Sequence, residues 1–320
     1  MRTIQTKQPP SDKRKSDESW LTAYLDSLRR ADLAPVTVRG YHYDLKQFLK
    51  WYAEAKGAAL RFEKLSVRDL INYRQYQIND LSLKPATVNR RLEALRRLCR
   101  WAYQTKRLKK NITLELKPMK MVRNTQPVGL REAEVHALLR VAGESSHGLA
   151  TRNYGIVQLF LQTGLRVSEV ADLRIAEVLL QERSGVVRIR KGKGMKAREI
   201  PLNATARRAL RSYLNTRGEY KADDSFFLSD RGSPLPTRTI QSVISQLAKR
   251  AKLTRVSVSA HTLRHTFALN YLKQNPGKLV ELSQLLGHAS LDTTAIYTLP
   301  SSEELAADLE RSRFNVHAQG

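Results

Sequence analysis

The amino-acid sequence predicts a mainly α-helical chain of two domains, a four-helix unit followed by a larger α+β unit whose strands form only a small β-hairpin or sheet. Three observations point there. The chain has 320 residues, more than one hydrophobic core usually organises. Apolar residues recur at helical spacing through most of it. Strict alternation is confined to "VVRIR" and "REIPL", on either side of a glycine-bearing turn.

Residues 1–16, "MRTIQTKQPPSDKRKS", are polar and lack apolar periodicity, as expected of a flexible basic tail. Helical spacing begins at Trp20 and runs through Leu21, Tyr24, Leu25 and Leu28. A second helix is expected after Thr37 as N-cap, with Val38, Tyr41, Leu45, Phe48, Leu49 and Tyr52 on its apolar side and Gly57 as its stop. Ser66 and Asp69 have the spacing of a capping box that opens a third, through Leu70 and Tyr73. The fourth is expected to start at Thr87 and to turn Val88, Leu92, Leu95, Cys99 and Ala102 inward. Together they make a helical bundle over 17–105. The stretch 106–128 has weak patterning and two prolines and reads as a basic linker.

From 129 to 300, helical patterns cover 130–142, 151–163, 204–217, 238–251, 262–274 and 278–286, with the hairpin between the second and third. Residues 301–320 hold a further short helix, 302–313, with Leu305, Ala306 and Leu309 on one side. That face either packs on its own domain or docks on a neighbouring protomer.

Composition narrows the partner. Lys and Arg number 56 against 30 Asp and Glu, a formal charge of +26, which calls for a polyanion. Membrane surfaces are anionic too, but no apolar run of about 18 residues could span a bilayer and no charged leader precedes an apolar core. Nucleic acid is therefore the expected partner, and no membrane. Residues 84–123 concentrate thirteen of the basic residues against Glu93 and Glu115. The single cysteine, Cys99, excludes an intrachain disulfide or a thiolate metal cage and reads as a small buried hydrophobe in a reducing compartment.

Four stretches in the second domain could furnish a phosphate pocket. In "TGLRVSE", Gly164 breaks one helix and Arg166 sits at the opening of the next, where free N–H groups attract anions. In "RKGKGMK", Lys193 stands between two glycines, with Lys191 and Lys196 in the same turn. "HTLRH" puts His261, Arg264 and His265 within one helical turn. A zinc site there is disfavoured, because no Glu or Cys completes it and the arginine repels a cation. In "ELSQLLGHASLDTTAIY", Gly287 ends a helix, His288 occupies the turn and Tyr297 lies in a short following segment. Alone, each of these residues has an ordinary explanation as surface or packing. As a set, two guanidiniums can grip non-bridging oxygens, a lysine can protonate a leaving oxygen, imidazoles can bond phosphate or accept a proton, and a phenol can attack. No cofactor or divalent metal is called for, in a chain without a clustered acidic triad.

The stretches "TGLRVSE", "GKGMKAREIPL", "HTLRHTFA" and "LLGHASLDTTAIYT" resemble the signature boxes of the tyrosine recombinases, or phage integrase family, of the Xer-like site-specific type. The resemblance implies that 129–300 is the catalytic domain and 17–105 the SAM-like core-binding domain. By it, Arg166, His261 and Arg264 would bind the scissile phosphate, His288 would add a hydrogen bond, and Glu169 would be the supporting acid. Lys193, with Lys191 and Lys196 as alternatives, would be the general acid, and Tyr297 would form a 3′-phosphotyrosyl link. DNA contacts are expected from Arg90, Arg91, Arg96, Arg97, Arg100, Lys109 and Lys110. His265 is expected to be a structural neighbour.

The resemblance further implies double-stranded DNA with a specific core site as partner and a homo-tetramer on two paired sites, resolved through a Holliday junction. It also implies a cytoplasmic, nucleoid-associated location and service to a mobile element or replicon. The competing readings are a non-catalytic DNA-binding regulator, which the charge alone would explain, and strand cleavage of the type IB topoisomerase kind.

Overall fold

The computed structural model describes residues 14–31, 33–114, 116–120, 127–144, 149–190, 197–288, 290–300, 305–306 and 309–311, side chains of 14–19 and 63 excepted. The chain divides into two compact units, 1–123 and 124–320.

The first unit is built of α1 (Arg14–Arg30), α2 (Pro35–Lys56), α3 (Val67–Asn79) and α4 (Pro85–Gln104). The inward stripes expected from periodicity form its core. Tyr24, Leu45, Phe48, Leu70, Tyr73, Leu92, Leu95 and Cys99 are almost wholly buried, each large side chain contributing about 1.5–3 kcal/mol of transfer free energy. The capping box at Ser66 is present: its Oγ accepts from the Asp69 amide, and Asp69 accepts from the Ser66 amide at 3.0 Å.

Two helix starts differ from expectation. Thr37 and Thr87 are not caps, because α2 and α4 begin two residues earlier, at Pro35 and Pro85. Proline at the first helical position needs no N–H partner and pushes the residue before it into extended backbone, so Ala34 and Lys84 make the turn in. The expected linker also starts later than its composition suggests. Leu108, Ile112 and Leu116 are buried in the core of this unit, so the chain after α4 wraps back onto the bundle.

The second unit contains α5 (Glu132–Gly143), α6 (Ala150–Thr163), α7 (Val167–Ala171), the strands β1 (Val178–Leu180), β2 (Gly185–Ile189) and β3 (Arg198–Pro201), and then α8 (Ala204–Asn215), α9 (Thr237–Arg250), α10 (Ala260–Gln274), α11 (Leu279–Leu286) and α12 (Asp292–Ala295). The hairpin is enlarged to three antiparallel strands, with Val187 of β2 opposite Val178 of β1 and Ile200 of β3. β1 is only three residues long, too short for alternation to reveal. Ile156, Val157, Leu159 and Phe160 are all fully buried, so α6 is enclosed on every side and runs through the middle of the unit. A separate small cluster joins Ala268 of α10, Leu282 and Leu286 of α11, and Tyr297.

Candidate active site

Two glycines shape the site. Gly164, after α6, has φ +62°, and a Cβ on it would lie 2.4 Å from the Phe267 ring and 2.8 Å from Leu286. Gly287, after α11, has φ +63°, and a Cβ there would lie 2.7 Å from the Arg198 guanidinium. Only glycine meets both demands at either position. The two helices therefore end close to a cluster of arginines.

Those arginines bind the C-terminal end of α11 through its last carbonyls, where the helix carries unpaired acceptors and partial negative charge. Arg198 donates from Nε to Leu285 O at 2.9 Å, Arg264 from Nη2 to Leu286 O at 2.9 Å, and Arg166 from Nη2 to Gly287 O at 2.8 Å. Arg264 also reaches Gly164 O at 2.6 Å, joining the ends of α6 and α11. Burial, reinforced by the charge of Arg166, lowers the Arg264 pKa to about 10, so it remains a cation at neutral pH.

Glu169 balances part of this charge. Its carboxylate accepts both Nη groups of Arg198, at 2.9 and 2.8 Å, and the amide and Nη1 of Arg166 at 2.8 and 3.0 Å. Burial alone would raise its pKa, but the bonds from Arg198 and Arg166 outweigh burial and hold it below the ordinary carboxylate range. Arg198 belongs to this site, although its place in "REIPL" suggested only a strand residue. No local signal marks it, because its partner lies 29 positions earlier in sequence.

The imidazoles have distinct surroundings. Nε2 of His288 lies 2.8 Å from Arg264 Nη2 and Nδ1 lies 2.8 Å from Thr294 Oγ1. A guanidinium can only donate, so Nε2 accepts and the proton sits on Nδ1, shared with the threonine. Burial, aided by Arg264 and Arg166, lowers the His288 pKa to about 4, consistent with this neutral form. His261 is exposed at the start of α10, and its ring packs edge-on to that of His265, centroids 4.1 Å apart.

Tyr297 is 6% exposed, its ring packed in the Ala268, Leu282 and Leu286 cluster. The hydroxyl faces α10, 2.8 Å from Nδ1 of His265. Burial raises the phenol pKa, with the Arg264 charge acting in the opposite direction. His265, expected to be only a neighbour, is thus in direct contact with this hydroxyl.

Among the residues predicted for the site, Arg166, Glu169, Arg264 and His288 are joined through hydrogen bonds, and Tyr297 is electrostatically coupled to Arg264. Lys193, with Lys191 and Lys196, lies outside the described residues.

The predicted DNA contacts on the first unit sort differently. Arg100, Lys109 and Lys110 are exposed. Arg90 is half-exposed and bonded to the buried carboxylate of Asp44. Arg96 is bonded to Leu116 O, and both it and Arg97 pair with Glu93. Arg91 is a correction: it is buried beside Asp44, turned into the bundle by the requirement to compensate that carboxylate, and presents nothing to a duplex.

Comparison with known proteins bears on this arrangement. Residues 129–304 match the model of the phage integrase family, and residues 21–106 that of the phage integrase N-terminal SAM-like domain. The chain belongs to the phage integrase family. Similar to this integrase-family chain are tyrosine recombinase XerC of Shewanella amazonensis, 33% identical over 292 residues, covering 90% of this chain and 93% of that one. Tyrosine recombinase XerD of Ralstonia nicotianae is 35% identical over 288 residues, covering 88% and 90%. The fold matches the XerH site-specific recombinase solved as a post-cleavage complex with palindromic difH substrate, with TM-score 0.73, 24% identity and coverage of 92% of this chain and 84% of that. It also matches a lambda integrase dimer bound to a core site, with TM-score 0.68, 19% identity and coverage of 86% and 96%.

Proposed function

We propose that the chain is a site-specific DNA recombinase that cleaves and rejoins strands through a 3′-phosphotyrosyl intermediate. The observation that carries the reading is the convergence of Arg166, Arg264 and His288 on the end of α11, with the Tyr297 hydroxyl on the adjoining face of α10.

In the reaction, a non-bridging pair of phosphate oxygens sits against Arg166 and Arg264, whose fixed charge offsets that of the pentacoordinate transition state. The backbone carbonyls that hold Arg264 commit three of its five N–H groups together with His288, leaving two for the phosphate. The Tyr297 oxygen attacks phosphorus and the 5′-oxygen leaves with a proton from Lys193. The phosphoryl bond is kept as a phosphotyrosine, so a 5′-hydroxyl of a partner strand can reverse the step without an energy cofactor. His261 and His288 are the further bonds to the phosphate.

The fuller scheme has four protomers on two paired sites and a Holliday junction, in the service of a mobile element or replicon. Action on DNA, the part of this scheme that similar proteins bear on, is supported by the fold shared with XerH, solved in pre- and post-cleavage complexes with difH substrate, and with the Tn1549 transposon integrase, solved with transposon right end DNA. The helix at 302–313 is described only at 305–306 and 309–311, where Leu305 and Leu309 are exposed, in keeping with docking on a neighbouring protomer.

A nicked suicide substrate carrying the DNA site that the protein protects in footprinting of sequence flanking its coding region tests the reading. Wild-type protein should become covalently attached to it, and Tyr297→Phe should bind it equally without attachment. A Tyr297→Phe protein that still forms the adduct, or one whose loss is matched by loss of binding, refutes it.

A further inference from the structure

The mechanism above leaves the phenol's proton unassigned. Three imidazoles lie near α10 and α12, and their contacts distinguish them. His288 has both ring nitrogens engaged, Nε2 by Arg264 and Nδ1 by Thr294, so it has no lone pair to offer the phenol. His261 is exposed, and its ring packs edge-on against that of His265. His265 alone, among the described residues, touches the hydroxyl, with Nδ1 at 2.8 Å from the oxygen and the two rings tilted 59° to each other.

We propose that His265 is a catalytic residue that holds the Tyr297 hydroxyl through Nδ1 and takes its proton as the phenol attacks phosphorus. The proposal rests on the recombinase reading above. The balance is simple. As the Tyr297 oxygen bonds to phosphorus, the O–H proton passes to Nδ1 and the imidazole becomes an imidazolium. The phosphorus–5′-oxygen bond breaks with its electron pair on oxygen, which is protonated by Lys193. On rejoining, the incoming 5′-hydroxyl returns its proton to the lysine, and the imidazolium returns its own to the departing phenolate. Nothing is oxidised or reduced.

The surroundings suit the role. A base must be neutral before the step, and half-burial with His261 and Arg264 close by on the same helix keeps the His265 ring unprotonated at neutral pH. The phenol needs a base, since its ring is buried among Ala268, Leu282 and Leu286, where burial disfavours the free phenolate. The α-helix fixes the geometry: His261 and His265 are one turn apart and Arg264 adjoins, so one rigid element presents phosphate ligands and base together. The groups facing His265 are His261 and Arg264 on α10 and Tyr297 opposite.

The test is single-turnover attachment to the suicide substrate by wild type, His265→Ala, His265→Gln and Tyr297→Phe, with binding measured in parallel. His265→Ala should bind normally and attach roughly 10²-fold or more slowly, the size of a lost general base. The ratio of its rate to wild type should climb between about pH 6 and pH 9, because solvent must then remove the proton. His265→Gln keeps a hydrogen-bonding partner without a base and should show the same slope. Placing 3,5-difluorotyrosine, a more acidic phenol, at position 297 should rescue His265→Ala more than it accelerates wild type. An adduct rate within threefold of wild type, or a uniform loss with neither pH slope nor rescue, overturns the assignment to His265. If wild type forms no adduct, or Tyr297→Phe forms one, it is the recombinase reading that fails.

Discussion

Replacing Arg198 by methionine isolates the ion pair that supports the arginine cluster. Methionine keeps most of the stem's volume and removes the guanidinium. The side chains of Arg198 and Glu169 are 9% and 4% exposed, so the variant leaves a carboxylate in a dry site without its bidentate partner. Removal of one member of a buried pair costs about 3–5 kcal/mol, and the bonds Glu169 retains from Arg166 place the expectation near the lower end, about 3. For a domain of this size that lowers the melting temperature of the second unit by roughly 6–12 °C. The assay is thermal unfolding of the full chain followed by amide exchange, which reports the two units separately. A second arm fixes the mechanism. Glu169→Gln with Arg198→Met removes the uncompensated charge and should recover more than half of the loss. The pH dependence must agree in sign. The wild-type Glu169 pKa lies below the ordinary value, so its contribution is present above that value and is lost as pH falls through the folded pKa. The gap between wild type and Arg198→Met should therefore narrow in acid. A loss under about 1 kcal/mol, or a double variant as unstable as the single, would falsify the account of this pair.

Arg166→Ala and Arg264→Ala should each slow covalent attachment by about 10²–10³-fold in the suicide-substrate assay, the effect of losing a preorganised charge donor; a wild-type rate in either removes it from the phosphate. Gly164→Ala should destabilise the second unit by about 2–5 kcal/mol in denaturant unfolding, from a positive φ combined with overlap on Phe267 and Leu286; a change below about 1 kcal/mol contradicts the crowding. Alanine at Arg100, Lys109 and Lys110 together should flatten the slope of log affinity against log salt by roughly 2.7, at about 0.9 per phosphate contact, while Arg91→Met should leave the slope unchanged. Stability of the second unit should decline as pH falls from about 6.5 to about 4, because His265 and His288 have folded pKa values lowered to about 4 and the unfolded chain takes up protons first; a flat profile in urea titrations over that window contradicts their burial as neutral rings.

The legible part of this protein is the part that repeats at a fixed spacing. The stripes through Tyr24, Leu45, Leu70 and Leu92 name the core of the bundle, and the glycines at 57, 164 and 287 mark helix ends, each with positive φ. Gly164 and Gly287 were also readable as punctuation around Arg166 and His288. What spacing does not carry is pairing between distant segments. Arg91 falls in a basic run, yet it is buried beside Asp44 of another helix, a carboxylate that Arg90 bonds from the exposed side. Arg198 looks like an outward residue of a strand, yet Glu169 and Leu285 O claim it from two other elements. The wrap of Leu108, Ile112 and Leu116 onto the bundle was hidden by surrounding lysines, since three apolar residues at spacings of four do not distinguish a docked segment from a solvated one.

His265 shows why contacts have to be assigned atom by atom. On a helical wheel it is one turn from His261 and next to Arg264, and nothing in that pattern says which of the two neighbouring imidazoles meets the phenol. The decision comes from hydrogen-bond valence. Arginine donates only, so its contact with Nε2 fixes the His288 tautomer and exhausts that ring on Thr294. The permanent charge that the proposed reaction requires is carried at Arg264, still a cation at neutral pH although burial lowers its pKa, while the rings near it are kept neutral by burial and by the neighbouring positive charges. Burial and neighbouring charge in the packing of α10 against the end of α11 push arginine and imidazole in the same direction; they neutralise His265 and His288 yet leave Arg264 charged, because a guanidinium starts from a far higher value. A substitution that loosens that packing should disturb both at once, lowering phosphate affinity and raising the imidazole pKa values together, whereas one that removes a single side chain should affect only one of the two.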